Sequence, residues 1–130
     1  CSTSHLKDLS SMNLFIKSRN GIDIINLANV AYLKADGNYT DFYFLDGKVK
    51  TQLSTLSFFD DAITSVFLGK KVPSPFYRMG RSYLVNINHI TSVNLQNLTL
   101  SFNTDKMRPI STSKGNLKGL RDHIVKTYDI

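Results

Sequence analysis

Apolar and polar residues alternate with a period of two over most of the chain, which predicts strands. Asn13-Leu14-Phe15-Ile16-Lys17 is rich in strand formers, and Ile22-Asp23-Ile24-Ile25 reads as its return strand across Arg19-Asn20-Gly21. Asn-Gly marks a hairpin because both residues tolerate positive φ. Leu27-Ala28-Asn29-Val30 predicts a short connection or a single helical turn. Residues 31–35 predict a strand, Asp36-Gly37-Asn38 a turn, residues 39–45 an aromatic strand, and Asp46-Gly47 a second hairpin. Residues 48–53 alternate charged and apolar side chains, as a half-exposed strand does. Residues 76–85 carry another β pattern. Asn97-Leu98-Thr99-Leu100-Ser101-Phe102 alternates strictly, and after the turn Asn103-Thr104-Asp105 residues 106–110 read as its return strand.

Two stretches change period. Leu56, Phe59, Ile63 and Val66 recur at spacings of three and four, predicting a helix over residues 55–66 with Ser54 as its cap. Asp60 and Asp61 suit its early turns, where the helix dipole favours negative charge. Leu117, Leu120 and Ile124 form a second helical stripe, capped by Ser111 or Ser113. Residues 1–11 have no period and read as a linker, leaving one domain over residues 12–128. From the residues alone the fold is mainly β, built of short antiparallel hairpins with two short helices. Pro73 and Pro75 interrupt the chain between the first helix and the strands that follow it.

Composition narrows the function. With 130 residues, 42% hydrophobic and 20% charged, the chain has the balance of a folded domain rather than a disordered segment. No apolar run approaches the roughly 20 residues a membrane helix needs, and no signal peptide is visible. Cys1 is the sole cysteine, so no internal disulfide forms and a reducing cytoplasm is expected. The absence of an initiator Met predicts a piece of a longer protein. The net charge is +6, and it is unevenly placed. Residues 1–65 hold six Lys/Arg against seven Asp, net −1, whereas residues 66–130 hold ten against three, net +7. A basic half points to a polyanionic partner, with nucleic acid ahead of a membrane surface.

Catalytic chemistry is not indicated. His5, His89 and His123 are far apart, no Cys-His or His-Glu spacing suits a metal, and neither a nucleophile elbow nor a phosphate-binding glycine loop is present. His89 reads as a structural or surface histidine. No cofactor or metal is expected.

Two segments are more specific: Tyr32-Leu33-Lys34-Ala35-Asp36-Gly37-Asn38-Tyr39-Thr40, and Phe76-Tyr77-Arg78-Met79-Gly80-Arg81-Ser82-Tyr83-Leu84-Val85-Asn86. In this order, with a helix between them and a hairpin and Ser-led helix after them, they resemble the LytTR family of DNA-binding domains. The resemblance covers roughly residues 13 to 125, and Arg-Ser-Tyr-x-Val-Asn is its most specific part. It implies an elongated stack of short antiparallel sheets. It implies that loops enter successive major grooves of double-stranded DNA at paired promoter sites, with a homodimer on the DNA. It also implies the output domain of a bacterial response regulator behind an upstream receiver domain, with no membrane partner.

Candidate contacts follow from the match. Arg81 stands at the family position that points into a groove, and Arg can bond both O6 and N7 of guanine. The plainer alternative for Arg81 is a phosphate or solvent contact. Arg78 is either a phosphate contact or an internal ion-pair partner. Asn38, Tyr39 and Thr40 form the first loop, where amides and hydroxyls suit phosphates and base edges; Tyr39 is equally well read as a core-covering aromatic. Ser82 suits a phosphate, Tyr83, Leu84 and Val85 the core, and Asn86 a turn. Ser111, Ser113 and Lys114 lie near a helix N-terminus, which favours a phosphate. Lys118 adds charge or is merely solvated.

Three positions depart from the family pattern. Gly80 replaces a His, Thr112 and Ser113 follow Ser111 where an Arg is usual, and Lys34 replaces a Glu. The first two remove possible base readers. The alternative reading is a β-rich protein-interaction module whose basic surface meets an acidic partner. RNA binding is a weaker third, since no RNP-like or GXXG signature is present.

Overall fold

Side chains alternate across a strand, so a strand with apolar residues at both parities must be covered on both faces. The central strand of this protein meets that condition, and the architecture follows from it. The computed structural model describes residues 13–71 and 74–128. The linker expected over residues 1–11 lies outside them. The strands are β1 (Asn13–Ser18), β2 (Gly21–Asn26), β3 (Val30–Asp36), β4 (Tyr39–Phe44), β5 (Val49–Gln52), β6 (Phe76–Met79), β7 (Tyr83–Asn86), β8 (Ile90–Asn94), β9 (Thr99–Phe102) and β10 (Ile110–Ser111). The helices are α1 (Leu56–Gly69) and α2 (Lys114–Tyr128).

All strand pairs are antiparallel and fall into three sheets. A five-stranded sheet has the order β5-β4-β3-β7-β6, a three-stranded sheet the order β10-β9-β8, and β1-β2 is a hairpin. Val30 and Leu33 of β3 pack with Phe42, Leu84 and the α1 residues Leu56, Phe59, Ile63 and Phe67, together with Leu14 and Ile25 of the hairpin. Tyr32 of the same strand enters the other cluster, with Met79, Val85, Leu100, Phe102, Ile110, Leu117 and Leu120. The large sheet is therefore the middle layer between α1 with the hairpin on one side and α2 with the small sheet on the other. Phe42 meets Phe59 edge-on at 5.0 Å. On the opposite face Tyr32 stacks between Tyr43 at 4.4 Å and Phe102 at 5.2 Å. Each such ring pair adds about 0.5–1.5 kcal/mol beyond its burial. Desolvation pushes the Tyr32 phenol above its ordinary pKa, so it stays neutral.

The expected hairpins and helices are present, with shifted bounds. Thr55, not Ser54, caps α1, its Oγ1 accepting the Phe58 N–H at 3.3 Å. The helix runs on to Gly69, which buries Phe67; because it starts at Leu56, Asp60 and Asp61 fall in its second turn. Residues 76–85 are two strands and not one, split at Gly80-Arg81-Ser82. The return strand expected over residues 106–110 shrinks to Ile110–Ser111, and β8 was not foreseen. Ser113 rather than Ser111 caps α2, its Oγ accepting the Asn116 N–H at 3.2 Å.

The sequence conceals a structural echo. Asn26 and Asn86 each end a strand and cap a short 3-10 turn, Leu27–Asn29 and Ile87–His89, that leads into the next strand. Their backbone angles nearly coincide (φ −79, ψ 105 and φ −90, ψ 106), and each side-chain oxygen accepts the N–H two residues on. The turns also meet, since the His89 ring nitrogen Nε2 contacts the Ala28 carbonyl. Asn86 does more than Asn26. It is buried, and its Nδ2 donates to the Val30 carbonyl at 3.0 Å, tying β7 to the start of β3.

Two outcomes are expected. Asn86→Ala leaves a buried carbonyl unsatisfied as well as removing a cap, and should destabilise the fold by about 2–4 kcal/mol in chemical denaturation. The solvent-exposed cap change Asn26→Ala should cost about 1 kcal/mol or less; equal losses would contradict the inequivalence. At the surface, hydrogen bonds from Gln52 and Lys50 hold the Asp23 carboxyl below its ordinary pKa. Its stabilising effect is therefore fully present above the unfolded carboxylate pKa and is lost as pH falls through the lowered folded value. Carboxyl NMR titration should place the Asp23 midpoint below that of a reference aspartate peptide.

Candidate nucleic-acid interface

Met79 pairs with Tyr83, so the β6–β7 hairpin closes with the three-residue loop Gly80-Arg81-Ser82. Three separate parts of the protein hold this loop. The Ser82 carbonyl accepts the Ala35 N–H at 2.8 Å, extending the β3–β7 ladder past its last strand pair. Nη2 of Arg78 donates to the Arg81 carbonyl at 3.3 Å, while its Nη1 faces Asp60 at 3.6 Å and Ser57 Oγ at 3.5 Å on α1. Gly80 has φ +66, and a Cβ there would lie 2.9 Å from Asn116 Nδ2 on α2. A side chain would thus meet backbone strain and would have to displace the Asn116 amide.

These contacts bear on two residues. Arg78, weighed as a phosphate contact or an internal partner, has internal partners in this structure: it is half-buried and reaches Asp60, Ser57 and the Arg81 carbonyl. Its Nε is buried without a hydrogen-bond partner, so its hold comes through the terminal nitrogens. Gly80, where the resemblance leads one to expect His, is the joint at which the loop and α2 come into contact.

Arg81 itself is exposed, and among the described residues no carboxylate lies within ion-pair distance of it. Ser82 is exposed beside it. The β3–β4 turn, Gly37-Asn38, sits at the same end of the sheet, because Ala35 abuts Ser82 and Asp36 pairs with Tyr39. Asn38 is exposed and Tyr39 is 48% exposed, so Tyr39 does not cover the core. Asp36 shares this end, also exposed. Thr40 is a correction: it is fully buried within β4, and its Oγ1 donates to the Ser54 carbonyl at 2.8 Å, so its hydroxyl cannot meet a partner. The reason is parity. The turn has only two residues, so Thr40 points to the α1 face along with Phe42.

The third region arrives through Asn116. Its backbone N–H is capped by Ser113, its Nδ2 donates to Thr112 Oγ1 at 3.0 Å, and the same amide contacts Gly80. The first turn of α2 is thereby fixed against the Arg81 loop. Ser111, Ser113 and Lys114 are exposed there, and Lys118 follows one turn later, also exposed. The first amides of a helix lack intrahelical acceptors and carry partial positive charge. Nothing lies within 4 Å of a Cβ built on Gly37 or Gly115, so both backbones are open to close approach. Sequence reasoning overlooked Asn116; its signal was the Ser-x-x-Asn spacing at the helix start.

The arrangement is a cationic, hydrogen-bonding surface made of two turns and a helix N-terminus. Among the described residues no group of three or more His, Cys, Asp or Glu could hold a metal ion, and no helix is long and apolar enough to cross a membrane.

Comparison with known proteins bears on the same residues. The family model for the LytTr DNA-binding domain matches residues 20–125. No curated protein matches the chain. Among solved structures, a LytTr DNA-binding domain assigned to a methyl-accepting/DNA response regulator of Bacillus cereus is similar in fold, with a TM-score of 0.56 and 21% identity, covering 85% of this chain and 94% of that one. With its model spanning both turns and the start of α2, the chain belongs to the LytTR family of DNA-binding domains.

Proposed function

We propose that the domain binds double-stranded DNA sequence-specifically by inserting its loops into successive major grooves, as the transcriptional output domain of a bacterial response regulator. The observation that carries this reading is the exposed, unpaired Arg81 on a loop anchored from three sides, beside the N-terminus of α2. A loop backbone fixed before DNA arrives leaves only the Arg81 side chain to be ordered when it bonds guanine O6 and N7. Asn38, Tyr39, Ser82, Ser111, Ser113, Lys114 and Lys118 supply phosphate and base-edge contacts around it. An upstream receiver domain would set when the surface is used, and a homodimer would match paired promoter sites.

Strand spacing constrains how the contacts divide. The β3–β4 and β6–β7 turns are centred two strand spacings apart, roughly 10 Å. Successive major grooves on one DNA face are about 34 Å apart. The two turns alone therefore cannot occupy both grooves. In this reading the α2 start supplies a further contact, and DNA bent toward the protein lets the surface reach the adjacent groove.

Arg81→Ala should weaken binding to the promoter duplex by about 1–3 kcal/mol and relax preference at one base position, read by fluorescence anisotropy over a single-base variant set. Unchanged affinity and preference would remove Arg81 from the readers. Gly80→Ala should lower both stability, by about 1–2 kcal/mol, and promoter affinity, because the strained turn and the displaced Asn116 amide shift the loop against α2. Full affinity in that variant would show that the joint does not position the loop.

A further inference from the structure

A groove of about 480 Å³ lies between the α2-side face of the five-stranded sheet and the segment leading into β10. Its sheet wall carries Lys34 and the tyrosines Tyr32, Tyr43 and Tyr83, and its other wall Lys106 and Arg108. The three cations are all exposed, and none has an ion-pair partner among the described residues. Two carboxylates are close at hand and keep their negative charge, but neither lines the groove. Asp41, directly across the ladder from Lys34, accepts the Thr51 hydroxyl at 2.6 Å, and Asp46 accepts the Lys48 N–H at 3.0 Å.

One end of the groove is closed. The β4–β5 turn meets the β9–β10 connection there: a Cβ on Gly47 would lie 3.3 Å from Lys106, and Thr104 Oγ1 donates to the Leu45 carbonyl at 2.9 Å. Toward the other end its lining includes Tyr83, next to Ser82, and Ser111, two residues before the α2 cap. The groove thus runs into the surface that carries Arg81 and Ser113.

We infer that Lys34, Lys106 and Arg108 form a phosphate-binding track that takes the DNA backbone flanking the bases read by the loops. The inference rests on the DNA-binding reading and adds three contacts outside the candidate set read from the sequence. Clustered like charges repel in the free protein, and a polyanion relieves that repulsion while releasing its own counterions. The tyrosine wall supplies hydroxyl groups at Tyr43 and Tyr83, both partly exposed, which suit phosphate oxygens. Neither base selectivity nor a shape-specific pocket is required. The track should raise affinity for all sequences alike.

The test measures log affinity against log salt for the whole chain with a 30-base-pair promoter duplex and with an unrelated duplex. With four to six phosphates neutralised by the loops and this track, the wild-type slope should be roughly −4 to −5. The triple change Lys34→Gln, Lys106→Gln, Arg108→Gln should make the slope shallower by about 2–3 and weaken both duplexes on the order of 10- to 100-fold at about 0.15 M salt. The promoter-to-unrelated ratio should hold. Lys34→Arg, Lys106→Arg, Arg108→Lys should keep the wild-type slope, which separates charge from packing, and Lys70→Gln, Lys71→Gln should leave it unchanged. An unaltered slope in the triple Gln variant, with wild-type binding intact, overturns the track alone. So does inorganic pyrophosphate shifting the NMR signals of Lys34 and Arg108 while that slope stays put, since the groove would then hold a free anion. Wild-type protein that binds neither duplex would instead defeat the DNA-binding reading itself.

Discussion

The carbonyl oxygens of Arg81 and Ser82 are both claimed from inside the protein, one by Arg78 and the other by the Ala35 N–H. A three-residue loop whose backbone is tied this way has few conformations left. The point from which its exposed side chain departs is then fixed. Because Arg78 is also paired with Asp60, and Asn116 is packed on Gly80, the loop registers the positions of α1 and α2 along with that of the sheet. Three elements distant in sequence meet at one short turn, and the proposed DNA surface depends on that meeting.

The two-sided central sheet makes this meeting possible. β3 and β7 lie at its middle, covered by α1 on one face and by α2 with the small sheet on the other. The loop between the edge strand β6 and β7 is within reach of both helices, because both pack against β6. The aromatic stack of Tyr32, Tyr43 and Phe102 fixes the small sheet against the large one. Through β10 it also fixes where α2 begins. Packing in the middle of the molecule thus sets the spacing of contacts at its end, and a small repacking error there would appear as lost affinity.

Much of this was legible in the sequence, for identifiable reasons. Asn20-Gly21 and Asp46-Gly47 announced hairpins because their backbone needs are special, and Leu56, Phe59 and Ile63 announced α1 because three and four are helical spacings. The split between β6 and β7 was not legible, since Arg78 to Tyr83 keeps the composition of a strand and only Gly80 hints at the turn. Thr40 was misplaced for want of the turn length: one residue more or less reverses its face. Arg78 against Arg81 is the same lesson. Both are basic and three positions apart, and only the positions of Asp60 and Ser57 on a remote helix decide which one turns inward. Lys34, Lys106 and Arg108 are brought to one groove by the packing of the small sheet against the large one, which no local pattern encodes.

Backbone-amide chemical-shift mapping tests the account most directly. Isotope-labelled protein titrated with a promoter duplex should show its largest changes at Asn38 and Tyr39, at Gly80, Arg81 and Ser82, and at Ser113 and Lys114, as one contiguous surface. Changes centred instead on the β1–β2 hairpin or the C-terminal end of α1, with the residue 80–82 loop undisturbed, would contradict it.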